Sequence, residues 1–209
     1  MCWNQEVSLN TFLFSSFGIF FGYYNNIIGF FELLYFISFA SMQLLEYFTW
    51  RNLNDKKANR FLSQIGLFLI FIQIPLFVLS SNKVENNLKT LTIFIYLIFS
   101  LFCICYFNID YSMEKAANGH LAWNWLNFPN SIIFIWLSFV FGLLFYQKKY
   151  LIFSIYLISV LAIYYTYYTS KTWGSLWCWL SNLLSLKLII QVFLTPSPNN
   201  CLISKASTK

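Results

Sequence analysis

The chain has 209 residues, 59% of them apolar by the AVILMFWYC count and 10% charged, where soluble domains run at roughly 45–50% and 25%. Mean hydropathy is +0.62 and apolar runs recur from Leu9 to Leu194, which excludes a water-soluble single domain. The formal charge of +6 is dispersed over loops and tails, which excludes a nucleic-acid-binding stripe and suits contact with anionic lipid head groups.

A membrane-crossing helix needs ~20 apolar residues, because the hydrocarbon core is ~30 Å thick and a helix rises 1.5 Å per residue. Seven runs approach that length and predict an all-α polytopic transmembrane helix bundle of about seven spans. They cover 9–27, 29–50, 62–81, 89–107, 130–147, 150–168 and 174–194, within a single domain, 1–194. A β-barrel would instead show ten-residue alternations of polar and apolar residues. Met1 to Asn10 holds Glu6 and no Lys or Arg, so the first span is expected to be retained. The breaks include Asn25-Asn26, Arg51 to Arg60, Asn82 to Asn87, Asn108 to Asn127 and Gln147-Lys148-Lys149. Tyr24, Trp50, Tyr106, Tyr150 and Trp173 near the proposed ends suit the aromatic belts of a bilayer. Lys and Arg divide evenly between the two sides, so orientation rests on the early Arg51 to Arg60 loop, which favours a cytoplasmic N-terminus. The tail 195–209, with Pro196 and Pro198, is expected to be disordered. Five cysteines without a CxxC spacing give neither a disulfide framework nor a zinc ribbon.

Polar side chains within a span are costly and mark sites by default. On the second span Glu32, Gln43 and Glu46 share one face, with Glu46 about three turns beyond Glu32. Glu46 is either the buried carboxylate of a proton or cation relay or a partner of Arg51 or Arg60, with Glu32 interfacial. On the last span Ser175, Cys178, Asn182 and Ser185 share a face that suits interhelical hydrogen bonding. Lys187 and Gln191 lie on the opposite face, and Lys187 can snorkel to the interface or pair with Glu46 across the bundle. Glu46, Gln43, Lys187, Gln191 and Asn182 are therefore the transport-path candidates. Pro75, near Gln73 in the third span, is expected to kink its helix.

The longest inter-span segment holds Asp110, Glu114, Gly119, the single histidine His120, Trp123 and Trp125. Gly119 permits a turn and the tryptophans suit the interface, which predicts a structured, re-entrant loop. Asp110, Glu114 and His120 are the candidates for acid/base catalysis, and no cofactor or metal is expected. One histidine cannot supply a three-histidine zinc site. The third span has no charged residue to serve a retinal Schiff base on Lys187 as counter-ion.

Three stretches carry a resemblance: Cys2-Trp3-Asn4 with Val7-Ser8 and Thr11-Phe12, Ser41 to Glu46 with Trp50-Arg51-Asn52, and Gly119-His120-Leu121 with Trp123 and Trp125. Together they resemble a family of uncharacterised multi-spanning membrane proteins of large DNA viruses of algae and amoebae, from Cys2 to about Trp179. The resemblance carries no catalytic residue. It implies that Glu46, Arg51, His120, Trp123 and Trp125 belong to a recurring pattern, and that the membrane is that of a host or a virion.

The resulting expectation is a structural or host-membrane-modifying protein without a reaction of its own. The alternatives are a small channel or transporter using the intramembrane carboxylate, and a lipid-active membrane enzyme using His120. The expected partners are the lipid bilayer and further copies or other membrane proteins, for which an aromatic content of 22% offers packing surface.

Overall fold

The computed structural model describes residues 4–195, apart from the side chains at positions 178 and 180–182. The tail expected to be disordered lies, beyond Thr195, outside the described residues. The chain is all-α in class. Its helices are α1 (Gln5–Tyr24), α2 (Phe30–Arg51), α3 (Lys56–Ser80), α4 (Asn86–Tyr106), α5 (Asn130–Tyr146), α6 (Tyr150–Tyr167) and α7 (Trp173–Leu194). Between α4 and α5 lie two three-residue strands, β1 (Met113–Lys115) and β2 (Leu121–Trp123), and a 3-10 turn, Asn124–Leu126.

Helix starts are set by polar residues whose own oxygens satisfy orphan backbone donors. Asn4 accepts from the Val7 N–H at 2.8 Å, and Asp55 from Lys57 and Ala58 at 2.9 and 3.1 Å. Glu32, three residues into α2, reaches back to accept from the Gly29 N–H at 2.9 Å. Capping by Asp55 explains why α3 starts at Lys56, ahead of the apolar run expected from 62: the first turns are polar but helical. The helix continues through the buried Pro75 to Ser80.

Short turns make consecutive helices antiparallel. One end of the bundle thus gathers the α2–α3 turn, the long α4–α5 segment and the α6–α7 turn, and is called the loop end below. The opposite end gathers the three remaining turns. Helix α2 is central, packed on α1, α3 and α7, while α7 also lies along α1. A Cβ at Gly18 of α1 would sit 2.8 Å from the Ser185 carbonyl oxygen of α7, so these backbones approach as closely as a missing side chain allows.

Three helices, α3, α4 and α6, are long and apolar enough to cross a membrane. α5 and the Leu183–Leu194 stretch of α7 are apolar but shorter. α1 and α2 have the length but carry buried polar groups such as Ser8, Ser15, Gln43 and Glu46. α4 and α6 turn large apolar side chains outward, with Leu101 61% and Ile158 68% exposed. A soluble monomer rarely presents such continuous apolar faces, which fit membrane association.

Candidate functional site at the loop end

The segment between α4 and α5 folds into the bundle. β1 and β2 pair antiparallel in the register Met113↔Trp123, Glu114↔Ala122 and Lys115↔Leu121. Gly119 supplies the turn at φ +82°, a backbone conformation that favours glycine. Three-residue strands cannot hold themselves together in water. Their stability comes from clamps on both sides.

On one side Asn59, in the first turn of α3, grips a single residue. Its Nδ2 donates to the Met113 carbonyl at 2.7 Å, and its Oδ1 accepts from the Met113 N–H at 2.8 Å. Ser63 donates to the Asn59 carbonyl at 2.9 Å, and the Thr49 hydroxyl lies 3.8 Å from Met113 Sδ. On the other side the Trp123 N–H donates to the Lys171 carbonyl at 3.1 Å. Lys171 Nζ in turn donates to Asn124 Oδ1 at 3.1 Å. Asn124 Nδ2 reaches Ser112 Oγ and Glu114 Oε1 at 3.0 and 3.3 Å, and Asn118 Nδ2 reaches the Ser170 and Thr172 hydroxyls at 3.1 and 3.0 Å.

Between the clamps Trp123 and Trp125 stack at 5.0 Å, 16° from parallel, each 1% exposed. The stack is wedged between two glycines of helices far apart in sequence. A Cβ at Gly66 of α3 would lie 2.7 Å from Trp125, and one at Gly174 of α7 would lie 2.7 Å from Trp123. The loop is structured as expected and packs against the helices, but its tryptophans are core residues, not interfacial anchors. The structured hairpin holds their indoles inward, where aromatic area is best used.

Leu45 shares the contact at Gly66 with Trp125. Its neighbour Glu46 is fully buried, as is Gln43 one turn away. The carboxylate and the amide therefore do share a buried face of α2. Arg51 takes another course: its guanidinium donates to the Tyr47 hydroxyl at 2.9 Å and lies 5.7 Å from that ring. Lys187 is exposed. It sits 14 residues into α7 from the loop end, whereas Glu46 sits five from the α2 terminus at that end. At 1.5 Å per residue their depths differ by about 13 Å, so the two do not pair. Gln191 is half-buried, and the Asn182 side chain lies outside the described residues. Glu32 caps α2 at the far end.

The catalytic candidates have different surroundings. Glu114 is exposed and held by Asn124, Asp110 is exposed ahead of the hairpin, and His120 is buried edge-on to Tyr167 at 6.2 Å. In the register Glu114 stands opposite Ala122, and the Ala116 N–H donates to the His120 carbonyl, so acid and imidazole are diagonal and not directly opposite. Burial holds the His120 imidazole below its usual pKa, favouring the neutral ring. Among the described residues no group of three His, Cys, Asp or Glu side chains could hold a metal ion. At the far end, burial and the nearby Lys83 and Lys187 lower the Lys149 ammonium, with Glu32 opposing.

Sequence reasoning did not single out Asn59, Gly66, Asn124, Lys171 or Gly174. Asn59 lay in a stretch read as a charged break, and nothing local distinguishes it. No family model, curated protein or solved structure matches the chain.

Proposed function

We propose that the protein is an integral membrane protein whose seven helices α1 to α7 all lie across the bilayer, and that its role is structural or membrane-modifying. The observation that carries this reading is the burial of Glu46 and Gln43 in the layer of α2 adjoining the inserted Trp123–Trp125 pair. Intramembrane polar groups serving conduction line water-filled cavities, whereas those serving architecture are dry. Lys187 faces outward at a different depth and does not extend the Glu46 face into a path. The resemblance noted above points to a host or virion membrane.

Ion and proton flux into liposomes carrying the purified protein tests the role. Wild type, Glu46→Gln and Lys187→Met are all expected to leak no faster than empty liposomes. Wild-type flux abolished by Glu46→Gln would overturn the structural reading in favour of a channel. Span number is tested by cysteines at Lys83 and Lys115 in a cysteine-free background. An impermeant maleimide is expected to reach them from opposite sides of the membrane, and labelling from the same side refutes the arrangement.

A further inference from the structure

A groove of about 300 Å³ runs between α3 and α4. That volume lies at the lower edge of small-ligand pockets, which span about 300–1,000 Å³. Phe68, Phe71 and Pro75 form one wall and Leu97, Leu101 and Ile104 the other. Ser100 also lines it, but its hydroxyl is taken by the Tyr96 carbonyl at 2.9 Å. Apolar walls of this kind do not hold water. Both helices are long and apolar enough to cross a membrane, so the groove opens toward acyl chains.

The groove is polar toward the loop end, where Gln64 and Tyr111 both line it. On a helix of 100° per residue, Lys57, Arg60, Gln64, Phe68, Phe71 and Pro75 follow one stripe of α3. Helix α3 has 25 residues, about 37 Å, which exceeds a ~30 Å hydrocarbon core by more than a turn. Lys57 and Arg60, both exposed in the first two turns, then stand at head-group level directly above the groove. Asp55, which keeps its charge while capping α3, and the exposed Asp110, next to Tyr111, are two acids set against the exposed Lys56, Lys57 and Arg60 among the described residues at this end. The local balance is positive.

We infer that the α3–α4 groove is a binding site for an anionic phospholipid, with one acyl chain along Phe68, Phe71 and Leu101 and the phosphate at Arg60 and Lys57. This inference rests on the membrane-embedded reading above. The full-length protein is reconstituted in nanodiscs containing a phosphatidylglycerol with a photoactivatable diazirine in its acyl chain, or a phosphatidylcholine with the same chain. Adducts are then mapped by mass spectrometry. Adducts are expected to concentrate in residues 64–75 and 97–104, with the anionic lipid favoured about fivefold per basic group engaged. Lys57→Gln with Arg60→Gln is expected to bring the two lipids to parity. Leu97→Trp, at an exposed position, should block groove labelling by both. Adducts spread evenly over the outward faces of α4 and α6, or equal labelling by the two lipids in wild type, would overturn the site while leaving the embedded reading intact. Failure of either lipid to label any helix would overturn both.

Discussion

Replacing Gly66 by alanine isolates the wedge between α3 and the α4–α5 loop. By helix propensity alone the change is favourable, since glycine in a helix interior is about 0.8–1.0 kcal/mol worse than alanine. The structure reverses that sign. The new methyl would fall 2.7 Å from Trp125 Cζ2 and 2.9 Å from Leu45 Cδ2, and both side chains are buried, Trp125 at 1% exposure. The indole is not the free end of a flexible chain, because it is stacked on Trp123. Overpacking of this kind costs about 1–3 kcal/mol. Gly142 of α5 is the internal control: it is exposed, and a Cβ there meets nothing within 4 Å. Propensity is common to the two variants and cancels in their difference. Gly66→Ala should therefore be about 1–3 kcal/mol less stable than Gly142→Ala, measured by SDS titration in mixed micelles with tryptophan fluorescence. Adding Trp125→Phe removes the indole carbon in the clash, so the Gly66→Ala penalty should shrink in that background. Equal stabilities for the two alanine variants would refute the wedge.

Asn59→Ala leaves the buried N–H and carbonyl of Met113 without their partners, at about 1–3 kcal/mol for each group. Asn59→Asp keeps the acceptor and loses the donor, so it should fall between alanine and wild type in the same titration; alanine as stable as wild type would show that the grip carries no energy. His120 gives a pH dependence of known sign. Its folded-state pKa lies below the ordinary value of 6.5, so the unfolded chain takes up the proton first. The stability held above pH 6.5 is then lost as pH falls through the lowered folded-state value. His120→Gln should flatten that slope between neutral and mildly acidic pH, and an unchanged slope would assign it to other groups.

The helices were legible because each is a long apolar run broken by polar residues, and the shared face of Gln43 and Glu46 followed from helix geometry alone. Helix starts were less legible, since Asp55 and the Lys56 to Arg60 turn read as a charged break when judged by hydropathy. The depth of Lys187 relative to Glu46 required knowing which turns share an end. The loop was hardest. Strands of three residues are too short to show a period of two, and Trp123 and Trp125 carry the same composition signal whether they sit in a belt or in a core. Gly66 and Gly174, on helices more than one hundred residues apart, make room for them. No local pattern reports such a juxtaposition.

That juxtaposition also bears on whether the Glu46 layer can open from the loop end. Lifting the tryptophan pair would unseat two buried indoles, each worth about 3 kcal/mol or more on the scale of core truncations. It would also break the Asn59–Met113, Trp123–Lys171 and Lys171–Asn124 hydrogen bonds, each a net ~1 kcal/mol. The total of about 10 kcal/mol is comparable to the whole stability of a typical domain, 5–15 kcal/mol. An opening of that cost is equivalent to unfolding the bundle. The amides of Met113, Trp123 and Asn124 should accordingly exchange hydrogen in micelles only as fast as the globally protected amides of α2. Exchange at the rate of an exposed turn such as Asn52 to Asp55 would show that the loop opens independently, and would make access to Glu46 from that end feasible.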